Sequence, residues 1–399
     1  MAAIVRLKTA AALAFLAIAT ALLCASAALG AGAHASVIGG EPASITQYPW
    51  LAFIEGQTGP HEGFDCSGTV VAPRVILTAG HCVLDIESGK LTPAADYAVA
   101  TGVADLHTVQ PTNVFRVSQA LVNPDFQPSL LRNDAGLLIL STPTSAPPIP
   151  LATGANAGLL ASGTPLAIAG WGLTDGNAKE IDGVLRSATT LVQSASYCKG
   201  KVSKYYPFFT AETQLCAIDP PAFATGTCHG DSGGPAIATE NGTPVQVGVT
   251  SLGESKCATS LPDVFTRVDK IEPWVAAWIA AVETGAPPPT VKVPKTKLPL
   301  MTMSRARYFV ARGLAEDFHH RFTAGSEKTA RCRRLKRERV RCDVSWFQGG
   351  NDYFGKVTVF YVLGREEVLW NDRYTIHWVD DQCWHGGHRG NCPIHTQSR

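Results

Sequence analysis

The sequence predicts an all-β domain over residues 37–283 and a small α+β domain over residues 301–399. Three observations support this division. The first domain contains short apolar runs separated by Gly, Pro and Asn, a pattern typical of a β-sandwich or β-barrel. Residues 284–300 are rich in proline, as in a semi-rigid linker. Beyond residue 300 both helical and strand periodicities occur, which indicates a second fold.

The clearest strand candidates of the first domain are four apolar runs, at residues 50–54, 75–78, 136–140 and 245–250. Over residues 269–282 the apolar positions instead recur at helical spacing, which predicts a closing helix. These positions are Ile271, Trp274, Val275, Trp278 and Ile279.

The second domain is predicted to pack one helix on an antiparallel sheet. A helix is expected over residues 307–322, where one face collects apolar side chains. A half-buried strand is expected over residues 340–346, where apolar and polar side chains alternate, and residues 357–363 and 374–379 are further strand candidates. The apolar helix positions are Val310, Ala311, Leu314, Phe318 and Phe322.

Charge is divided unequally between the two domains. The chain of 399 residues has a formal net charge of +1. Residues 37–283 nevertheless contain 12 Lys and Arg against 22 Asp and Glu, whereas residues 284–399 contain 20 against 11. One acidic and one basic part suggest two modules with different partners.

The first 35 residues predict a secretory signal peptide. Arg6 and Lys8 precede an apolar, alanine-rich run, and residues 33–35 fit the small-x-small cleavage pattern. The alternative is an uncleaved membrane anchor. No other stretch is long and apolar enough to span a bilayer, so we expect a secreted protein without stable membrane insertion. Removal of Cys24 with the signal leaves ten of 11 cysteines, an even number that suits an oxidising compartment.

Three short motifs carry the strongest functional signal. They are TAGHC at residues 78–82, NDAGLL at residues 133–138 and CHGDSGGP at residues 228–235. A serine hydroxyl is a poor nucleophile until a base takes its proton, and a third group must orient that base and stabilise its charged form. His81, Asp134 and Ser232 supply these three functions.

The order His81, Asp134, Ser232 and its flanking residues resemble the trypsin/chymotrypsin family of serine proteases, in the form secreted by bacteria, over roughly residues 37–282. The resemblance implies two six-stranded antiparallel β-barrels followed by a C-terminal helix, with the active site in the cleft between the barrels. His81 and Asp134 would lie on the first barrel and Ser232 on the second.

The resemblance also implies disulfide pairs and catalytic roles. His81 would take the proton of Ser232, Asp134 would hold the other ring nitrogen, and the N–H groups of Gly230 and Ser232 would form the oxyanion hole. The four remaining cysteines of the C-terminal domain allow three pairings, and we expect the two local ones. The expected disulfides are Cys66–Cys82, Cys198–Cys216, Cys228–Cys257, Cys332–Cys342 and Cys383–Cys392.

Activation in this family uses a new N-terminus whose ammonium pairs with the aspartate before the nucleophile. The resemblance assigns these roles to Val37 and Asp231, and a buried charge requires such a partner. Ser36 precedes Val37 where relatives have Arg or Lys. Signal cleavage after Ala35 would leave Ser36 in front of Val37. We therefore expect removal of Ser36 by an exopeptidase, or direct cleavage after Ser36, rather than a trypsin-like activator.

The resemblance further implies a substrate pocket of unusual charge. Gly226 stands at the position that holds Asp in trypsins, whereas Asp263 stands on the opposite part of the pocket floor, where trypsins have Gly. We expect a preference for Lys and Arg that is less sharp than in trypsins, with some bulky apolar residues also accepted; the alternative is that Asp263 is purely structural. The expected pocket residues are Gly226, Thr227, Ser251, Gly253 and Asp263.

The C-terminal domain contains a basic run over residues 331–341. It predicts binding to a polyanion, for which an anionic cell-wall polymer is favoured and nucleic acid is not, or else it is a solvated hairpin face. His377, Cys383, His385, His388, Cys392 and His395 could bind zinc, but a disulfide with surface histidines is the favoured interpretation in an oxidising compartment.

The sequence thus predicts a secreted, monomeric serine endopeptidase that acts on proteins or peptides and uses no cofactor or metal. The alternative is a catalytically inactive, protease-like binding protein.

Overall fold

The computed structural model describes residues 37–59, 62–203, 206, 208–254, 256–257, 259–364, 368–381, 383 and 392–399. The predicted signal peptide, Ser36, His385 and His388 lie outside the described residues. Within these ranges no helix combines the length and apolar character needed to cross a bilayer.

A closed antiparallel barrel is formed by residues 51–140. Its strands are paired in the order 51–59, 62–72, 75–78, 136–140, 114–122 and 97–101. Short 3-10 turns occur in its loops at Ala94–Asp96, Leu106–Thr108, Pro111–Asn113 and Pro128–Leu130. The strands are β1 (Glu41–Pro42), β2 (Leu51–Gly59), β3 (Glu62–Ala72), β4 (Val75–Thr78), β5 (Leu84–Asp85), β6 (Lys90–Leu91), β7 (Tyr97–Thr101), β8 (Val114–Val122) and β9 (Gly136–Leu140).

A second barrel is formed by the strands that follow, and a 3-10 segment, Gly154–Leu160, leads into it. Its strands are paired in the order 186–192, 165–170, 235–240, 243–252, 263–267 and 214–218, and pairing of the first of these with the last closes the barrel. β1 pairs with residues 186–187 and so extends the sheet of this barrel. The helix after the barrel, residues 268–284, is capped at its C-terminal end by Gly285, which has a left-handed φ of 73°. The elements are β10 (Pro165–Gly170), β11 (Arg186–Val192), α1 (Ala195–Val202), β12 (Gln214–Ile218), β13 (Pro235–Glu240), β14 (Thr243–Leu252), β15 (Asp263–Arg267) and α2 (Val268–Thr284).

These two six-stranded barrels and the helix after them confirm the predicted fold class. Residues 285–302 then form no regular secondary structure. Met301 is fully buried and Leu298 is partly buried against the core of the C-terminal domain, so the end of the linker belongs to that domain.

The C-terminal domain is a five-stranded antiparallel sheet with a helix on one face. Its strands are paired in chain order, from β16 to β20. The apolar side of the sheet packs under α3 in a core separate from that of the barrels. The elements are α3 (Met303–Phe318), α4 (His320–Thr323), β16 (Ser326–Lys336), β17 (Arg339–Gln348), β18 (Asn351–Leu363), β19 (Val368–Asp380) and β20 (His395–Ser398).

Two expectations for this domain need correction. The helix begins at Met303 rather than residue 307 and breaks at His319, whose left-handed φ of 46° interrupts it before α4. Ala311 is exposed, because the buried stripe of α3 instead includes Phe309 and Gly313. The basic run, for which a hairpin face was one of the two interpretations, forms the turn and the adjoining strand ends of the β16–β17 hairpin.

The structure contains five disulfides, and they join the same five cysteine pairs as the sequence analysis. Cys332 and Cys342 are directly opposite each other on β16 and β17. Cys66 and Cys82 connect β3 to the loop that carries His81.

Candidate active site

His81 and Asp134 are brought together by strand pairing in the first barrel. Thr78 at the end of β4 is opposite Gly136 at the start of β9. His81 follows Thr78 and Asp134 precedes Gly136 in the chain, so both side chains emerge at the same end of this ladder. The antiparallel register therefore positions the base beside its carboxylate.

The Asp134 carboxylate is fully buried and accepts hydrogen bonds on both oxygens. The His81 N–H donates to Oδ1 at 2.9 Å, and Nδ1 of the same residue lies 2.8 Å from Oδ2. The Ser251 hydroxyl donates to Oδ2 at 2.6 Å. A buried carboxylate held in this way fixes the orientation of the imidazole and can stabilise its protonated form.

Ser232 lies in a turn that is fastened to both barrels. Its carbonyl oxygen accepts from the Ser67 N–H of β3 at 2.8 Å. The neighbouring Gly233 N–H donates to the Thr250 carbonyl of β14, also at 2.8 Å. Ser232 and His81 line one cavity between the barrels, so the nucleophile and the base face the same space.

The backbone around Gly230 leaves donors free for an anion. The His229 carbonyl accepts from the Leu173 N–H at 2.8 Å, and the Gly230 N–H of that trans peptide therefore points the opposite way. Among the described residues, none accepts a hydrogen bond from the N–H of Gly230 or Ser232. Gly230 has a φ of 96°, which suits glycine alone.

The Asp263 carboxylate is packed between Gly226 and Gly253, behind cavity-lining residues; Asp263 and Gly226 are not among the described residues that line the cavity. Asp263 is 9% exposed, and its Oδ2 accepts from the Thr227 N–H at 2.6 Å. A Cβ atom would lie 3.3 Å from this carboxylate at Gly226 and only 2.8 Å at Gly253. Burial raises the pKa of Asp263 to about 7, with smaller contributions from nearby carboxylates. Thr227, Gly253 and Ser251 line the cavity itself.

The comparisons with known proteins agree with this geometry. The family model described as Trypsin matches residues 37–275, which is more than half of the chain. The chain belongs to the trypsin family of serine proteases. It is 32% identical over 235 residues to a trypsin of Saccharopolyspora erythraea, covering 58% of this chain and 93% of that protein. It is also 32% identical over 256 residues to serine protease 56 of Mus musculus, covering 62% of this chain but 39% of that protein.

In this trypsin-family site Asp231 lies beside the nucleophile and forms no salt bridge with a described residue. Its two oxygens accept from the N–H groups of Gly172 and Cys228, each at 2.9 Å. A Cβ atom at Gly172 would lie 2.5 Å from the carboxylate, so glycine makes room for it. Asp231 is 2% exposed, and burial raises its pKa to about 7.

The segment that begins at Val37 is already inserted beside the pocket. Val37 is fully buried, and Ile38 pairs with Gly226 through a 3.1 Å hydrogen bond from the Gly226 N–H to the Ile38 carbonyl. The strand-like contact places the first residues of the trypsin-family domain next to the expected substrate pocket.

Two residues that sequence reasoning missed also line the cavity, Leu131 and Glu254. Leu131 lies three residues before Asp134 and has a left-handed φ of 41°. Glu254 follows Gly253, so a second carboxylate lies at the rim. The only sequence signal for either was its distance from a motif residue, because neither belongs to a motif.

The cysteines near the site are not metal ligands. Cys66, His81 and Cys82 are close enough together to suggest a metal site, but the two sulfurs form a disulfide and offer no thiolate. Cys383 and Cys392 are likewise disulfide-bonded, which removes them from the zinc pattern. His377 instead lies 2.8 Å from the Thr396 hydroxyl.

Proposed function

We propose that this protein is a secreted serine endopeptidase. The observation that carries the proposal is the fully buried Asp134 carboxylate, which binds His81 on the wall of the cavity that Ser232 also lines. Family membership supports the same reaction class.

In the proposed reaction, His81 accepts the hydroxyl proton of Ser232 while the serine oxygen attacks the carbonyl carbon of the scissile amide. The N–H groups of Gly230 and Ser232 bind the oxyanion that forms. Collapse breaks the C–N bond, and His81 protonates the leaving amine. Water then attacks the acyl-serine ester with His81 as base, which releases the carboxylate product and restores the serine.

Secretion is supported by two features. The basic and apolar start of the chain has the composition of a signal peptide. The described residues contain five disulfides, which form and persist in oxidising compartments.

We further propose that the C-terminal domain binds an anionic cell-wall polymer through the face of its sheet that α3 leaves open. Arg333, Arg341, Thr358 and Arg373 are successive partners across β16 to β19, and directly opposed residues point to the same side. A cavity of 750 Å³ on this face is lined by several cationic side chains. They are Arg341, Lys356, Arg373 and Arg399, and Asp343 and His377 also line this cavity.

The active site is tested with a serine-directed fluorophosphonate probe and a peptide substrate. We expect one label per molecule on Ser232, and loss of both label and hydrolysis in Ser232→Ala. Ser203→Ala, which removes an exposed hydroxyl, should retain both. Wild-type protein without label or hydrolysis would instead indicate the inactive, protease-like binding protein.

The C-terminal proposal is tested by retention of the full chain on heparin as a polyanion. Retention should fall steeply with salt, because exposed charges are screened within about 10 Å at 0.1 M ionic strength. Retention on uncharged dextran, or none on heparin at low salt, would make the basic run a solvated face.

A further inference from the structure

Phe208 is a contact point between the two domains. It belongs to the second barrel, in the connection between α1 and β12. Among the described residues, it is the side chain that packs against both hydrophobic cores. A substitution that moves this ring therefore alters packing in both domains.

The C-terminal domain holds the Phe208 ring with two side chains. The Arg305 guanidinium of α3 lies 4.7 Å from the ring centroid, a cation–π geometry, and the Tyr361 ring of β18 lies 6.0 Å away. The Arg305 Nη1 donates to the Tyr361 hydroxyl at 3.3 Å, which ties these two residues to each other.

On its other side the Phe208 segment is bonded to the loop that precedes Asp134. The Arg132 guanidinium donates to the Phe208 carbonyl at 3.1 Å through Nη2. The Tyr206 hydroxyl donates to the Leu130 carbonyl, and burial raises the pKa of Tyr206, so the phenol remains a donor.

Leu131 lies between these two bonded residues and reaches the cavity of His81 and Ser232. It is 3% exposed, and its left-handed φ of 41° is unfavourable for leucine. The Gln214 amide donates to its carbonyl at 2.9 Å. An unfavourable backbone conformation persists only where the surroundings hold it, and here the surroundings include the Phe208 segment.

We propose that the C-terminal domain is a specificity-determining part of the active site. Through Arg305 and Phe208 it holds Leu131 against the cleft and thereby favours an apolar side chain at the substrate residue that contacts Leu131. This inference rests on the proposed peptidase function. It assigns the domain a role that does not depend on its basic face, because Arg305 contacts Phe208 and Tyr361 rather than the open side of the sheet.

The test compares Arg305→Ala and Phe208→Ala with Arg307→Ala in the full chain. Arg307 is an exposed arginine of the same helix that bonds to Ala330 inside its own domain. In all peptide substrates the residue that supplies the scissile carbonyl is the same, and the residue that precedes it in the chain is either Leu or Gly. Fluorophosphonate titration gives the active fraction of each protein.

Arg305→Ala should lower the Leu-over-Gly ratio of kcat/KM about two- to fivefold, the size expected for loss of one cation–π contact. Phe208→Ala should lower it further. Arg307→Ala should keep the wild-type ratio. Unchanged ratios in active Arg305→Ala and Phe208→Ala proteins would overturn the inference and leave the peptidase function intact.

Hydrogen exchange gives a readout that needs no catalysis. The Gln127 and Leu130 amides are bonded within the Leu131 loop, to the carbonyls of Arg132 and Gln127. Their exchange should accelerate in Arg305→Ala but not in Arg307→Ala, at the same unfolding temperature. Equal exchange rates in the wild type, Arg305→Ala and Arg307→Ala would contradict the coupling between Arg305 and the Leu131 loop, even if the chain proved to have no peptidase activity.

Discussion

The Ser251 hydroxyl donates a 2.6 Å hydrogen bond to Oδ2 of Asp134, the oxygen that also lies 2.8 Å from Nδ1 of His81. Ser251 belongs to β14 of the second barrel, whereas Asp134 precedes β9 of the first. One carboxylate oxygen therefore connects the two barrels at the point where the base is oriented.

Ser251→Ala should lower kcat about tenfold with little change in KM, because a less firmly held carboxylate orients His81 less well. The measurement is steady-state kinetics on a small peptide, with Thr250→Ser, a neighbour whose side chain takes no part in this bond, as control. Equal kcat in Ser251→Ala and wild type would make this hydrogen bond irrelevant to the base.

A protein that begins at Val37 should be more active than one that retains Ser36. Its ammonium can pair with Asp231, whose pKa burial raises to about 7 in the uncleaved chain and which forms no salt bridge there with a described residue. The measurement is kcat/KM of the two forms after titration of active sites. Full activity with Ser36 attached would exclude a Val37–Asp231 ion pair.

The two forms should also differ in how stability depends on pH. In the longer form, folded Asp231 binds its proton more tightly than unfolded Asp231, whose ordinary pKa is 3.8. That form should lose up to about 1.4 kcal/mol per pH unit as the pH rises from about 4 to 7. The shorter form should lose less free energy of unfolding, because its ammonium can pair with the Asp231 carboxylate. Asp263 contributes equally to both forms and does not affect the comparison. Thermal unfolding of Ser232→Ala proteins at pH 5 and 8 measures this, and parallel curves would refute it.

Asp263 should favour Lys and Arg in the pocket, and its raised pKa makes this preference dependent on pH. The ratio of kcat/KM for Arg over Phe substrates should rise as the pH increases through about 7, where the carboxylate ionises. Any effect of pH on the shared catalytic step acts on both substrates and cancels in the ratio. Asp263→Ser should lose the basic substrates, retain the apolar ones and give a flat ratio.

Glu254→Gln is the matched control for that experiment, because it removes a rim carboxylate that is more exposed than Asp263. Exposed charges are screened by solvent, so its effect should be several-fold smaller. If Asp263→Ser leaves the substrate profile unchanged, the carboxylate serves only to accept from Thr227.

The cationic face should be separable from the arginines that fold the hairpin. Arg341→Glu with Arg373→Glu should abolish salt-sensitive retention on heparin without changing hydrolysis of a small peptide. Arg334 and Arg337 instead donate to the carbonyls of Met301 and Leu298.

Reversal of Arg334 and Arg337 should therefore lower the unfolding temperature, since it frees the end of the linker. Retention on heparin could instead survive the reversal of Arg341 and Arg373 but be lost when Arg334 and Arg337 are reversed in a fully folded protein. That result would place the polyanion-binding site at the tip of the β16–β17 hairpin.

The sequence by itself determined the fold class of the first domain, because short apolar runs such as residues 136–140, separated by Gly, Pro and Asn, are typical of strands in an all-β domain. It also indicated the triad residues, since their motifs are short and local. The helix α3 was predicted from its periodicity, but its start and its break at His319 were not, because caps and left-handed residues depend on packing.

Only the tertiary structure decided which residues meet across the chain. Phe208 meets Arg305, and Arg132 reaches the Phe208 carbonyl, over sequence separations that no local pattern encodes. Local periodicity records which face of an element is buried, whereas contact between elements depends on the register and packing of the folded chain.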